Sequence, residues 1–347
     1  MHNPLEVSSV ALHVNDSSQV GEARRAAKRS GILGGFSEED AGRLALVVSE
    51  AASNLVKHAH GGQILIQSVA GGNGTRGFEV LVLDHGPGIR DLAESMRDGF
   101  STAGSLGHGL GAIERASDFF EAYSRQEYGT AILCRVLSST STDEKRRGFA
   151  IGGVCVTMPG ETVCGDAWAM HADRNRLLIL VSDGLGHGAS AHEASLEAVR
   201  TFRERGALPP AEILERIHDS LKSTRGAAAA VAEIDWDRRQ LNFAGVGNIA
   251  CAILSGKERR NAVSHHGTLG HQVRKFQEFS YPWINDGILV ICSDGLESKW
   301  SIERYPGLAT HHPSLIAGVL YRDFARNRDD TSVVVVKEDY LRESTAS

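Results

Sequence analysis

No Cys-x-x-Cys pair occurs in the sequence. Its five cysteines, Cys134, Cys155, Cys164, Cys251 and Cys292, are scattered. That pattern implies no disulfide framework and suits reduced, buried thiols in a cytosolic protein. An excess of positive charge is also missing. The formal net charge is −6, which argues against a general binder of nucleic acid or of acidic membranes. The N-terminus has no basic segment followed by an apolar core, and no apolar stretch approaches the roughly 20 residues needed to cross a bilayer. These absences together predict a cytoplasmic protein with neither nucleic acid nor membrane among its partners. With 41% hydrophobic and 23% charged residues and only one short polar tract, the composition is that of a soluble globular chain.

That tract divides the chain. At 347 residues the sequence has about twice the usual length of one domain. Between Val136 and Phe149 lies LSSTSTDEKRRG, with nothing apolar to bury after Leu137 and strand-like segments on both sides. The expected organisation is a domain over 1–137, a linker over 138–148 and a second domain over 149–347.

In the first half EVSSVALHV reads as a strand, and Ser17 to Ser30 as a helix stopped by Gly31. Ser37, with Asp40 three residues on, opens a second helix in which Leu44, Val47, Val48, Ala51 and Leu55 recur at helical spacing until Gly61 and Gly62. The strands QILIQSV and FEVLVLD, a glycine-rich loop near 99–111, a helix and the strands FEAYSR and TAILCRV follow. This pattern predicts an α/β sandwich with a mostly antiparallel sheet. The second half is richer in strands, from FAIGGVCV to TSVVVV, with two helical regions after Gly188 and one around Pro313 to Arg326. Two packed sheets covered by helices are expected.

Three pieces of the first half carry candidate chemistry. Glu50 and Asn54 stand four apart on the second helix, so they project from one stripe beside the apolar face. A carboxylate and an amide so placed can serve as a base and a Mg²⁺ ligand, although exposed polar pairs on helices are commonplace. In LDHGPGI, Asp84 ends a strand, and Gly86 and Gly88 allow a turn that brings backbone close to a planar ligand. In GFSTAGSLGHGLGAIERA, Gly104, Gly107, Gly109 and Gly111 lead into a helix and offer backbone N–H groups to phosphates.

In this order and spacing the three pieces resemble the GHKL (Bergerat) ATPase superfamily, and most closely its small anti-sigma-factor and RsbT-like serine kinases, over residues 5–137. The resemblance implies ATP and Mg²⁺ as cofactors. It makes Asn54 the Mg²⁺ ligand, Glu50 the base that prepares the substrate hydroxyl, and Asp84 the carboxylate that reads the adenine amino group. Gly86, Gly88, Gly104, Gly107 and Gly109 would shape the nucleotide pocket and its short lid. Histidine kinases share this fold but carry a preceding helical hairpin with a phosphoacceptor histidine, and only some 36 residues precede this helix. Phosphoryl transfer to a protein hydroxyl is therefore expected.

In the second half, acidic residues stand at or beside strand ends: Asp166 in VCGDAW, Asp183 in LVSDGLGHG, Asp294 in VICSDGL, and Asp329 with Asp330 in RDDTSVVVV. Any one could be a simple strand terminator. Several hard oxygen ligands converging from strands are what Mg²⁺ or Mn²⁺ requires, and two such ions roughly 3.5–4 Å apart can generate a hydroxide and clamp a phosphate. Order and flanking residues resemble the SpoIIE-type branch of the protein phosphatase 2C family over about 148–338, with the α/β/β/α sandwich of that family. By that resemblance Asp183 bridges two Mn²⁺ or Mg²⁺ ions, Gly184 ligates through its carbonyl, and Asp166, Asp294 and either Asp329 or Asp330 complete the site. Larger family members hold phosphate with an arginine near the first acidic motif, and none stands around Asp166. His187 is read as a turn residue in preference to a proton donor, and the glycine hairpin GVGNIA as having only a backbone role. His265, His266, His311 and His312 match no common zinc spacing and are read as surface residues.

The expectation is an α+β chain: a bifunctional bacterial partner-switching regulator, with a serine/threonine kinase module followed by a phosphoserine/phosphothreonine phosphatase module. Its expected substrate is a STAS-domain antagonist protein, with a sigma factor or downstream regulator as a further partner. The rival expectations are a phosphatase with a nucleotide-sensing first domain, and a non-catalytic anti-sigma-type binding module.

Overall fold

Alternation of apolar and polar residues along short segments, punctuated by glycine turns, sets the architecture. The computed structural model describes residues 9–70, 76–92, 109–138, 148–173, 175–206, 208–256 and 258–339. Gly104, Gly107 and most of the proposed linker lie outside the described residues. The chain forms two compact units. One comprises 1–146 together with Thr310–Arg322, the other 147–309 and 323–347.

The first unit holds an antiparallel sheet of β1 (Val10–Val14), β2 (Gly62–Ala70), β3 (Arg76–Leu83), β4 (Phe119–Arg125) and β5 (Gly129–Leu137), in the order β1-β2-β3-β5-β4. Its helices are α1 (Ser17–Leu33), α2 (Glu38–Asn54) and α3 (Gly109–Ala116). Ser37 caps α2 as its spacing predicts, accepting from the Asp40 N–H at 3.0 Å. Gly31 does not stop α1, which runs on to Leu33. A Cβ at Gly31 would stand 3.1 Å from that of Ala41, so this glycine lets α1 and α2 pack closely. One face of the sheet, with Ile64, Ile66, Val80, Val82 and Ile132, buries against the helices around Leu44, Val48 and Ile113.

The opposite face carries Leu65, Leu81, Leu83 and Leu133, and these are buried too. Residues Thr310–Arg322 belong with this unit. A Cβ on Gly318 would stand 3.2 Å from the side chains of both Leu81 and Leu83, the Ser314 hydroxyl donates to Glu79 at 2.9 Å, and the His312 N–H donates to Glu121 at 2.8 Å. A single boundary at 138–148 assigns this segment to the second domain. Its hydrogen-bond partners in the first unit lie 191 and 235 residues earlier in the chain. His311 and His312 are accordingly half-buried, not surface residues, and the ring of His312 bonds Arg135 at 3.0 Å.

The second unit contains two five-stranded antiparallel sheets. Its strands are β6 (Gly148–Val156), β7 (Asp166–Ala172), β8 (Arg176–Gly184), β9 (Ala227–Asp235), β10 (Gln240–Val246), β11 (Ala250–Ser255), β12 (Glu258–Asn261), β13 (Gly267–Thr268), β14 (Gln272–Val273), β15 (Phe279–Pro282), β16 (Ile288–Cys292) and β17 (Thr331–Asp339). One sheet runs β15-β10-β9-β8-β7, the other β12-β11-β16-β17-β6. The core between them takes alternate residues of each, among them Ile179, Val181, Phe243, Ile291 and Val334. The outer face of the first of these sheets, with Leu178, Leu180 and Val231, is covered by α4 (Ala189–Arg205) and α5 (Pro210–Ser220) through Ala198, Phe202 and Ile217. A last helix, α6 (Pro313–Phe324), begins in the first unit and ends in the second. No described helix is long and apolar enough to cross a membrane.

Candidate functional sites

In the first unit the three sequence pieces meet around the end of α2. Glu50 and Asn54 are half-buried on its last turns, and a Cβ at Gly109 would stand 2.6 Å from the Asn54 amide oxygen, so the start of α3 lies against Asn54. Immediately after Asn54 the helix widens into a π-turn over Leu55–Ala59, closed by His60 in the left-handed conformation. Such widened turns recur at functional sites because the inserted residue re-aims the chain. Here it carries Ala59 to Gly86, where a Cβ would stand 2.7 Å from the Ala59 Cα.

Asp84 is buried just beyond β3. Its Oδ1 accepts from the Gly86 N–H at 2.8 Å and the Thr130 N–H at 3.0 Å. Burial pushes its carboxyl above the ordinary range, and those two N–H groups oppose the shift. With Oδ1 fully used, the chemistry left to Oδ2 is that of an acceptor for an outside N–H donor. Gly129, at φ +84°, is required by close approach: a Cβ there would stand 2.0 Å from the Asp84 carbonyl oxygen. Sequence reasoning missed Thr130, whose N–H is invisible in any motif. Gly86 and Gly109 stand where a side chain would fill the space beside Asp84 and Asn54, and a planar nucleotide with its phosphates fits that donor set.

In the second unit Asp166 opens β7 and pairs across the ladder with Asp183 at the end of β8. The Ser293 hydroxyl donates to Asp166 at 2.6 Å, and Asn248 donates to Asp294 at 2.7 Å. The GVGNIA hairpin thus supplies a side chain as well as backbone, which corrects the reading of it as backbone only. Asp330 is buried with both oxygens engaged, by the Met158 N–H at 2.7 Å and the Gly165 N–H at 2.8 Å. Asp329 is partly exposed and, among the described residues, accepts only the Asp330 N–H, at 2.9 Å. Gly184 admits no side chain, since a Cβ would stand 2.0 Å from the Ala191 carbonyl oxygen. His187 sits between Gly186 and Gly188, both at positive φ, and its ring bonds Glu161 at 2.6 Å. Near this loop lies an arginine that no search around Asp166 could find. Arg225 precedes β9 by two residues and is exposed, and its guanidinium would stand 3.1 Å from a Cβ on Gly186. Among the described residues it forms no ion pair with a carboxylate.

The electrostatics of this cluster are those of crowded acids. Burial first, and then the charges of neighbouring Asp residues, push Asp166 up to about 7 and Asp183 up to about 9; Asp329 is raised by the same causes. Among the described residues no three His, Cys, Asp or Glu side chains are gathered into a finished metal cage. The carboxylates are near enough to disfavour one another's charge. Hard oxygen donors in such a state fit Mg²⁺ or Mn²⁺.

The sign of the pH dependence follows. The folded-state pKa values of Asp166 and Asp183 lie above the ordinary 3.8, so without metal the fold binds protons more tightly than the unfolded chain. Its stability from these groups falls as pH rises from about 4 toward 9. Metal requires the deprotonated form, so apparent Mn²⁺ affinity should rise over pH 6–9 with proton release. Calorimetry in buffers of different ionisation heat measures this, and a pH-independent affinity would contradict it.

A model of the stage II sporulation protein E family (SpoIIE) matches residues 173–339, and a histidine kinase-like ATPase domain matches residues 14–135. The phosphoserine phosphatase RsbX of Bacillus subtilis is 32% identical over 139 residues, 40% of this chain and 69% of RsbX. The serine/threonine-protein kinase RsbT of the same organism is 42% identical over 98 residues, 28% of this chain and 73% of RsbT. The chain belongs to both families. A chain solved in work on the bacterial stressosome superposes at a TM-score of 0.52 with 25% identity, covering 56% of this chain and all of the other. The second unit is thus a protein serine/threonine phosphatase domain of the SpoIIE type, joined to a GHKL-like ATPase domain, and the architecture is mixed α and β as expected.

Proposed function

We propose that this chain is a bifunctional partner-switching regulator of the bacterial cytoplasm, which phosphorylates and dephosphorylates one serine or threonine on a STAS-domain antagonist protein. The observation that supports the reading is the presence in one chain of both sets of groups: Glu50, Asn54 and Asp84 on the three pieces that meet around the end of α2, and Asp166, Asp183, Asp294 and Asp329 at strand ends of the paired sheets. RsbT is named a serine/threonine-protein kinase and RsbX a phosphoserine phosphatase, which supports opposed kinase and phosphatase activities in the two halves. Incubating the chain with such a partner, first with Mg-ATP and then with Mn²⁺, and following the partner by mass spectrometry tests it. Phosphate should appear on one residue and leave the same residue; modification of different proteins would end the write-and-erase reading.

In the first unit Asp84 would accept the adenine amino group through Oδ2, Asn54 would hold Mg²⁺, and Glu50, one helical turn earlier, would take the proton of the attacking hydroxyl. In the second, bound Mg²⁺ or Mn²⁺ would supply a water of lowered pKa and charge neutralisation. Asp166, Asp183, Asp294 and Asp329 would hold it, with the Gly184 carbonyl. Asp330 is better suited to clamping the loop from Met158 to Gly165, because both of its oxygens already accept backbone N–H groups. Ser293 and Asn248 would orient Asp166 and Asp294.

Arg225, a guanidinium without a carboxylate partner among the described residues and beside the Asp183–Gly188 loop, is suited to the substrate phosphoryl group. Arg225→Ala should raise KM for a phosphorylated partner about tenfold or more, with Mn²⁺ affinity unchanged. An unchanged KM would remove it from the site.

A further inference from the structure

Helix α6 has anchors at both ends that neither chemistry uses. Within the first unit its last turns lie along the end of the sheet that carries Asp84. Gly318 packs on Leu81 and Leu83, and the Tyr321 hydroxyl bonds Gln63, the residue paired with Leu83 on the neighbouring strand. The Arg322 guanidinium donates to the carbonyl oxygen of Asp84 at 3.0 Å and to that of Thr130 at 3.4 Å. These are the backbone groups of the two residues whose side chain and N–H form the buried carboxylate site. Arg322 therefore holds the Asp84–Thr130 pair from the carbonyl side, while the Thr130 N–H holds it from the carboxylate side.

From Asp323 on, the residues belong to the second unit. The Phe324 carbonyl accepts the Glu297 N–H at 2.9 Å, Ala325 bridges Leu296, and the Arg326 N–H donates to the Gly295 carbonyl at 2.8 Å. This strap fastens the three residues that follow Asp294. Gly295 in turn lies so close to Asp330 that a Cβ there would stand 2.0 Å from its carbonyl oxygen. Arg322 and Phe324 are two residues apart, and Asp329 is five residues beyond Phe324. One continuous segment is thus hydrogen-bonded at its start to the backbone of the nucleotide-reading carboxylate. Its end is bonded to the backbone that follows Asp294 and runs on to Asp329, the two carboxylates proposed there as metal ligands.

We infer that the nucleotide site is an effector site for the phosphatase, and that α6 makes nucleotide binding at Asp84 and divalent-metal binding at Asp294 and Asp329 interdependent. The inference rests on the two sites proposed above and names the regulation of the second by the first. A nucleotide that bonds the Asp84 carboxylate changes the hydrogen-bonded Asp84–Thr130 pair that Arg322 grips. Any shift of Arg322 along the helix axis reaches the Phe324–Arg326 strap through the covalent chain. Linkage then demands reciprocity: whatever factor a nucleotide applies to metal affinity, the metal applies to nucleotide affinity.

The test uses the full chain. Hydrolysis of p-nitrophenyl phosphate is titrated with Mn²⁺ at buffered free concentration, with and without a saturating non-hydrolysable ATP analogue. Binding of the analogue is measured by calorimetry with and without Mn²⁺. The two apparent affinities should change by the same factor, about fivefold or more. Arg322→Ala should bring that factor toward one, as should Tyr321→Phe, which keeps the ring and removes the bond to Gln63, so that a misfolded arginine variant does not decide the matter. Equal affinities in wild type, with both sites binding, overturn the coupling while leaving the two sites standing. A factor that persists undiminished in both variants overturns the role of α6. Failure of the analogue to bind at all, or absence of Mn²⁺-dependent hydrolysis, falsifies the underlying site assignments and the coupling with them.

Discussion

Asp183→Ala and Asp294→Ala should each lower Mn²⁺-dependent release of phosphate by about three orders of magnitude or more, while ATP-driven phosphorylation of the partner persists. A bound dication supplies several kcal/mol of charge stabilisation in the transition state, and each 1.36 kcal/mol is a factor of ten in rate. Asp183 faces Asp166 across the β7–β8 ladder, so its loss removes a donor from the centre of the acidic cluster. Asp294 is held by Asn248, and its loss also frees that amide. The partner should accumulate in its phosphorylated form, and mass spectrometry measures the fraction. Thermal melting gives a second readout. Removing the half-buried Asp183 carboxylate, whose charge burial and neighbouring Asp residues disfavour, should leave the metal-free fold at least as stable at pH 8 as the wild type, and in both variants the stabilisation by Mn²⁺ should shrink. A variant that keeps its phosphatase rate would take that aspartate out of the metal site.

Glu50→Gln should keep ATP binding and lose phosphoryl transfer by about 10²–10⁴-fold, the range for a positioned acid–base group. The amide is nearly isosteric with the carboxylate, so the half-buried position on α2 is preserved and only proton acceptance is lost. Asn54→Ala should act differently: it removes the amide against which Gly109 lies, weakening Mg-ATP binding as well as the rate. Single-turnover transfer and calorimetry on the two variants separate base from ligand. Transfer at the wild-type rate by Glu50→Gln would support the reading in which the first unit only senses nucleotide.

Much of the local structure was legible because it depends on near neighbours. The Ser37 cap of α2 follows from a hydroxyl three residues before an N–H. The strands of both halves follow from alternation and from β-branched runs such as TSVVVV, and the acidic positions from Asp residues that end apolar strands. Gly31 was misread because a glycine near a helix end resembles a stop, and its use in close packing shows only once Ala41 stands opposite. The choice between Asp329 and Asp330 depends on N–H groups of Met158 and Gly165, more than 160 residues away in sequence. Arg225 and Asn248 lie in stretches that carry no acidic motif of their own, and nothing in VICSDGL marks the Ser293 hydroxyl as the donor to Asp166, 127 residues away.

By itself, then, the sequence determined the two families, the element types and the acidic and glycine positions, since period, capping and turn chemistry act within a few residues. Only the tertiary structure decided that the far face of the first sheet is covered by residues 310–322, that Arg322 grips the carbonyls of Asp84 and Thr130, and that Asp330 is spent on backbone N–H groups. The physical reason is that a buried hydrogen-bonding group must find a partner wherever the fold brings one. Nothing in a local pattern records which distant backbone group that partner will be.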